Sequence, residues 1–235
     1  MGEQTEFRNQ PISAPKTSYR KSMKTPFSVE QFFHVFEQYN LEIFPGQIVI
    51  ALLGILGLVL LQVKAPIKDR YIGVFLGLLW IWTGLIYHIA FFSIINEAAY
   101  LFGDLFILQG ILFLYNSFKG RLHFSIEPDI ADYIGYFFIL FGLVIYPLIG
   151  LISKGSITGI ISLGLPCPSV IFTFGFLILT KDHLPKYLLI IPSVWALIGI
   201  SAAVNFGVYQ DLMILISAIF AIVFLGFRKK ATKKI

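Results

Sequence analysis

Long apolar segments separated by short polar connectors fill the chain from residue 44 onward. A helix that crosses the hydrocarbon core of a bilayer needs about 20 mostly apolar residues. Seven segments meet this requirement, so the pattern predicts an all-α bundle of seven transmembrane helices over residues 44–227. The segments are 44–63, 71–94, 98–116, 133–153, 157–180, 187–206 and 211–227.

The fifth segment is the least regular, because Pro166 and Pro168 lie inside it. Each proline removes a backbone donor and disfavours a helical conformation of the residue before it, which predicts a helix break. A broken helix can present free carbonyl groups to an ion or a polar solute. The alternative is a packed kink whose carbonyls are satisfied by neighbouring side chains. If this segment does not cross, six spans remain and the C-terminus changes sides.

A shorter amphipathic segment, residues 26–43, precedes the first span. Ser28 with Gln31 three residues later is the pattern of a capping box at a helix start. Phe32, Phe36 and Tyr39 then recur on one side of the helix. The segment is too short and too charged to span, so it predicts an interfacial helix lying on the membrane. The alternative is an ordinary cap packed on the bundle.

The composition of the 235-residue chain agrees with a lipid environment. Only 13% of its residues are charged, whereas soluble domains carry about a quarter. The net charge of +5 comes from basic residues in tails and connectors, which favours the lipid bilayer over nucleic acid as partner. Residues 1–25 are predicted to form a flexible polar, basic tail, and residues 228–235 a basic cytoplasmic tail.

The distribution of Lys and Arg predicts the orientation of the bundle. The first, third and fifth connectors and the C-terminal tail hold most of these residues, whereas the second, fourth and sixth connectors hold only Lys154. Because cytoplasmic loops are enriched in Lys and Arg, we expect the C-terminus in the cytoplasm and the N-terminus outside. The basic residues of the N-terminal tail oppose this orientation. They end about 20 residues before the first span, at the edge of the range over which the rule acts.

Ionisable side chains inside the predicted spans are the first candidates for function, because each is costly in lipid without a partner. The second and third spans form a hairpin around Asn96, with His88 eight residues before it and Asp104 eight residues after it. At about 1.5 Å per residue, both side chains lie roughly 10 Å below the outer helix ends. The sequence therefore predicts a hydrogen bond between His88 and Asp104.

Other polar residues lie toward the same outer side of the predicted bundle. They predict an outward-facing polar pocket that binds or transports a small solute or ion. A membrane-embedded enzyme using His88, Asp104 and Cys167 is one alternative, although the three depths disfavour a nucleophilic triad. A non-catalytic subunit or sensor is the other. The candidate ligand-binding residues are His88, Glu97, Tyr100, Asp104, Cys167, Asn205 and Asp211, beside the break at Pro166 and Pro168.

The sequence predicts neither a metal centre nor a cofactor. A single cysteine and the lack of a HExxH-type spacing argue against a metal. Seven spans in this orientation are also typical of rhodopsins. No Lys lies inside a predicted span, however, so the retinal Schiff base could not form.

Pairs of small residues four positions apart predict close contacts between helices. Such pairs let two backbones approach because no large side chain keeps them apart. The pairs are Gly73 and Gly77, Gly155 and Gly159, and Gly199 and Ala203.

Four stretches of the sequence are distinctive. They are FSVEQFF from Phe27, NEAAYLFG from Asn96, GLPCPSVIFTFG from Gly164 and WALIGISAA from Trp195. Together they resemble a family of uncharacterised bacterial multi-pass membrane proteins, catalogued only as a domain of unknown function. The resemblance covers most of the chain from Phe27 onward, and the Pro-Cys-Pro stretch is its most specific part. It implies a bacterial inner (plasma) membrane location and supplies no catalytic residues.

Overall fold

The structure, a computed structural model, describes residues 26–181 and 184–227. The predicted tails, residues 1–25 and 228–235, lie outside the described residues. Within the described ranges the regular secondary structure is helical, which confirms the predicted all-α class. The α-helices are α1 (Val29–Glu42), α2 (Gly46–Leu60), α3 (Ile67–Trp82), α4 (Ala98–Phe118), α5 (Ile130–Leu140), α6 (Tyr146–Lys154), α7 (Pro166–Ile178), α8 (Ile190–Phe206) and α9 (Leu212–Phe227).

Wider and tighter helical turns join several of these helices into longer rods. Helix α3 continues through a π-helix, Thr83–Phe91, into the 3₁₀ turn Phe92–Ile94. A second π-helix, Phe141–Ile145, joins α5 to α6. The 3₁₀ turns Lys186–Leu189 and Tyr209–Asp211 lead into α8 and α9. Several polar residues of the candidate site lie on these irregular turns or beside them.

Five of the described helical rods are long and apolar enough to cross a membrane. They are Ile67–Ile94, Ala98–Phe118, Ile130–Ser153, Lys186–Phe206 and Tyr209–Gly226. Helices α1 and α2 would add a sixth if they count as one broken span, although they meet at 85°. The number seven is therefore not confirmed by helix length, and it stays a prediction.

Helix α1 begins as the sequence predicts. The Ser28 hydroxyl accepts a hydrogen bond from the Gln31 backbone N–H, and the Gln31 side chain accepts one from the Ser28 backbone N–H. The predicted apolar stripe, with Phe32, Phe36 and Tyr39, is buried against the other helices. This contact agrees with a cap packed on the bundle, and a position on the membrane surface stays a prediction.

Helices α3 and α4 pack as an antiparallel hairpin with unusually close backbones. A methyl group built on Gly110 would lie 2.6 Å from the Gly77 carbonyl oxygen, and one built on Gly84 would lie 2.7 Å from that of Gly103. The two backbones can approach this closely only because each glycine has a hydrogen atom where other residues have a side chain. The predicted close contact at Gly77 is confirmed. The one at Gly155 is wrong, because that residue is the left-handed C-cap of α6 and a methyl group built on it would meet nothing within 4 Å.

The fifth predicted segment is half helix and half extended chain. Residues 155–165 lack an α-helix, and α7 begins at Pro166, so the predicted break is confirmed at its position. Helix α7 runs antiparallel to α5, because its Gly175 faces Gly135 and the Lys181 ammonium beyond its end lies 2.7 Å from the Asp132 carboxylate. Residues 155–181 thus pass from the end of α6 to the start of α5.

Helix α7 is the centre of the bundle. Every residue in it except Cys167 is buried. Helices α3, α5, α8 and α9 contact it from different sides, and the Trp80 indole of α3 donates a 2.9 Å hydrogen bond to the Thr173 hydroxyl. A 13-residue helix is about 20 Å long, too short to cross a bilayer alone.

We expect Gly110→Ala to destabilise the bundle by about 1–3 kcal/mol, because the added methyl group would overlap backbone atoms of α3. The matched control is Gly226→Ala in α9, where a methyl group would meet nothing within 4 Å. That control should be neutral or slightly stabilising, because Ala favours helices more than Gly does. Thermal unfolding of both variants in the same detergent measures the difference. Equal melting temperatures would contradict the close packing.

Candidate functional site

A cavity of about 220 Å³ lies among α1, the first π-helix, the start of α7, the C-terminal part of α8 and the 3₁₀ turn before α9. Most of its wall is aromatic or aliphatic, and a small set of polar side chains interrupts it. The aromatic members include Phe27, Phe32, Phe36, Phe92, Phe102, Trp195 and Phe206. The polar members are Tyr87, His88, Asn96, Tyr146, Cys167, Ser201, Asn205 and Asp211.

His88 is fully buried at the wall of this cavity. Neither of its ring nitrogens has a hydrogen-bond partner within the described part of the chain. Aromatic rings surround it instead, with ring centroids at 4.7 Å for Phe106, 5.0 Å for Trp195 and 5.1 Å for Tyr87. Buried polar atoms in native proteins nearly always have a partner, so the imidazole is a candidate to contact a bound molecule.

A second polar group in the wall consists of Tyr146, Cys167 and Asp211. The Tyr146 hydroxyl donates a hydrogen bond to the Asp211 carboxylate, and both residues are buried. The Cys167 thiol lies close to both groups and to the Trp195 side chain. Because α6, α7 and the turn before α9 each supply one member, this cluster joins three elements at the base of the cavity.

The polar residues of the site lie at irregular positions of the helices. His88 lies within a π-helix and Tyr146 directly follows the other one. Cys167 is in the first turn of α7, and Asp211 ends a 3₁₀ turn. Such turns rotate side chains away from the direction that a regular helix would give them, and π-helical turns are frequent at functional sites.

The structure brings several of the sequence-predicted residues together at this cavity. His88, Cys167, Asn205, Asp211 and Pro166 all contribute to the wall. Pro168 is buried in the first turn of α7. The ligand-binding role of these residues stays a prediction.

The predicted hydrogen bond between His88 and Asp104 is wrong. Gly84 faces Gly103, so Asp104 lies opposite the residues near Gly84, about one helical turn from His88. The Asp104 side chain is also exposed on the outside of α4. Counting residues from Asn96 fails because the π-helix and the 3₁₀ turn shift the register of the hairpin.

Glu97 and Tyr100, the other predicted members on this hairpin, are exposed and do not line the cavity. Tyr146, the hydrogen-bond partner of Asp211, is not among the site residues predicted from the sequence. The available signal was a tyrosine in the middle of an otherwise apolar segment, directly before Pro147. The aromatic lining from α1 was also missed, because the stripe of that helix was assigned to the membrane surface.

The carbonyl groups of the extended segment before α7 are already used within the protein. The Gly164 carbonyl accepts hydrogen bonds from the Tyr39 hydroxyl at 3.1 Å and from the Thr83 hydroxyl at 3.3 Å. The Asn40 amide donates to the carbonyls of Thr158 and Ile160, both at 2.7 Å. The helix break is therefore a packed kink, and the predicted free carbonyls for an ion are not present at these residues.

Among the described residues, no group of three or more His, Cys, Asp or Glu side chains is placed to hold a metal ion. Asp104 lies outside the cavity, so it cannot join His88 and Cys167 in the triad considered for an enzyme.

We expect Tyr146→Phe to destabilise the protein by about 1–3 kcal/mol, because the buried Asp211 carboxylate loses a donor. Tyr209→Phe is the matched control, since Tyr209 belongs to the same turn as Asp211 but is 70% exposed. Adding Asp211→Leu to Tyr146→Phe should recover part of the loss, because no buried carboxylate is then left without its donor. Denaturant or thermal unfolding in detergent measures all three variants. A Tyr146→Phe effect no larger than that of Tyr209→Phe would contradict the role of this hydrogen bond.

Comparison with known proteins adds one assignment. No curated protein and no solved structure matches the chain. A family model with the description "Family of unknown function (DUF6064)" matches residues 29–235. The match begins at the first residue of α1 and covers all the helices described above. The chain therefore belongs to the DUF6064 family, whose function is unknown.

Proposed function

We propose that this chain is a multi-pass protein of the inner membrane that binds a small, largely apolar molecule with one hydrogen-bonding group in the cavity. The observation that carries the proposal is His88, a residue of the cavity wall whose two ring nitrogens are buried without a partner among the described residues. An unsatisfied buried polar group costs about 1–3 kcal/mol. A bound molecule that hydrogen-bonds the imidazole removes this cost.

The wall of the cavity defines the chemistry of the ligand. Rings from α1, α4 and α8 offer faces and edges to an aromatic or other apolar body. The groups able to form hydrogen bonds are few and lie at separate places, with His88 on one element and Asp211 on another. Ligand pockets are typically built in this way, from mainly apolar walls and a few placed polar groups.

The volume of the cavity limits the size of the ligand. An apolar protein cavity of about 150 Å³ is large enough to bind benzene. The present cavity, at about 220 Å³, is roughly half as large again. It therefore suits a molecule of one or two fused rings rather than a lipid with long acyl chains.

The position of the cavity supports an opening toward the outside. Asn96 lies in the connector after α3, and Asn205 lies near the C-terminal end of α8. Both belong to the end of the bundle opposite the basic connectors at Lys119 and Lys181. Because the basic connectors are expected in the cytoplasm, the side of the cavity that carries Asn96 and Asn205 faces outward.

A matched pair of probes tests the proposal. 2-Naphthol and naphthalene share a two-ring body, and only 2-naphthol carries a hydroxyl group. We expect the protein in nanodiscs to bind 2-naphthol more tightly, as measured by equilibrium dialysis against empty nanodiscs. His88→Phe should weaken 2-naphthol binding by about threefold to tenfold and leave naphthalene binding unchanged, since it removes a hydrogen bond and keeps an aromatic ring.

His34→Phe is the control for this experiment, because the His34 side chain is 63% exposed on α1. It should bind both probes as the unchanged protein does. Failure of the unchanged protein to bind either probe above empty nanodiscs would refute the proposal. An equal loss of 2-naphthol binding in the two variants would refute the role of His88.

The orientation is tested separately. Alkaline phosphatase is active only outside the cytoplasm, and green fluorescent protein fluoresces only when it folds inside. We expect fusions after Gly120 and at the C-terminus to fluoresce, and phosphatase fusions after Asn96 and Gly207 to be active, because the basic connectors should face the cytoplasm. Phosphatase activity at the C-terminus would contradict the proposed orientation.

A further inference from the structure

We propose that the outer face of α4 docks a transmembrane helix of a different protein, and that a Lys or Arg of that helix pairs with Asp104. The proposal depends on α4 spanning a membrane, as proposed above. It does not depend on ligand binding in the cavity, which lies on the other side of the hairpin.

The outer face of α4 is a continuous stripe of exposed residues. The stripe consists of Leu101, Asp104, Leu108, Ile111 and Tyr115, spaced alternately three and four residues apart. This spacing is that of the a and d positions through which two helices pack along their length. Helix α4 uses its opposite side, with Gly103 and Gly110, to pack on α3.

Asp104 is the exceptional member of this stripe. Helix α4 has 21 residues, about 31 Å, so it just crosses a hydrocarbon core of about 30 Å. Asp104 lies six residues after the first residue of the helix, about 9 Å inside it. The side chain forms no hydrogen bond or ion pair with the residues that the structure describes. An unpaired carboxylate at this depth on a lipid-facing side is costly, and membrane carboxylates are usually paired.

The negative charge of Asp104 indicates which kind of protein docks on this face. A second copy that docked through the same face would bring two carboxylates together around its symmetry axis. It could not contribute a cation either, because residues 98–118 contain no Lys or Arg. The other basic residues of the long rods lie at or just beyond rod ends, with Lys68 and Lys186 at the end opposite Asp104 and Lys154 at the end of α6 on the outer side. A cation at the depth of Asp104 must therefore come from another protein.

A designed helix supplies the test. The probe is a synthetic Leu-Ala transmembrane peptide with a single Lys placed to match the depth of Asp104, and the control peptide has Leu in its place. We expect the full chain, fused to a fluorescent protein, to bind the Lys peptide about tenfold more tightly in proteoliposomes, measured by energy transfer. Asp104→Asn should abolish the difference between the peptides.

Exchanging the charges of Asp104 and the peptide provides a second test. Asp104→Lys should prefer a peptide that carries Asp over the one that carries Lys, provided that its elution and melting temperature show a folded protein. Glu42→Gln is the matched control, since Glu42 is an exposed acidic residue on α1 rather than on α4. It should leave the preference for the Lys peptide unchanged.

Two results would overturn the proposal. One is equal binding of the Lys and Leu peptides by the unchanged chain. The other is efficient disulfide formation between two copies of Leu108→Cys in a Cys167→Ser background, which would make a second copy the occupant. Naphthol binding in the same proteoliposomes reports on the cavity separately, so failure of either proposal is distinguishable.

Discussion

The fold depends on satisfying the backbone of an extended segment inside an apolar bundle. Residues 158–164 lie outside the helices, so helical hydrogen bonds do not satisfy their carbonyls, and the apolar side chains around them offer few donors. Tyr39, Asn40 and Thr83 provide the missing donors to the carbonyls of Thr158, Ile160 and Gly164. These bonds explain why α1 lies on the bundle instead of apart from it, and why α7 can begin halfway along the neighbouring rods.

The same arrangement creates the cavity. A full-length fifth helix would fill the space beside α3 and α8, whereas the extended segment brings the first turn of α7, with Cys167, to the cavity wall. The two π-helices then direct His88 and Tyr146 toward this space. The site thus arises from departures from regular helix geometry, each stabilised by contacts elsewhere in the bundle.

The sequence predicted features that depend on local chemistry. The capping box at Ser28 and the helix break at Pro166 follow from short-range rules, and the structure confirms both. The apolar stripe of α1 is buried against the bundle, which agrees with the alternative to the predicted interfacial helix. The lack of a bond between His88 and Asp104 was not predictable by the same means, because the π-helix changes both the register and the facing direction of the hairpin. The hydrogen bond from Tyr146 to Asp211 joins residues 65 positions apart, and no local sequence pattern predicts such a contact.

The hydrogen bonds of α1 impose an order on biosynthesis. Asn40 bonds to residues 118 and 120 positions later in the chain, and Tyr39 to one 125 positions later. A ribosome makes the chain from its N-terminus, so these acceptors emerge long after α1 itself. During that interval the Phe-rich side of α1 can contact only elements made earlier than α7, such as Tyr87 and Phe92 of the first long rod. The hydrogen bonds of Tyr39 and Asn40 can therefore form only after residues 158–164 have been synthesised, so the docking of α1 is completed late.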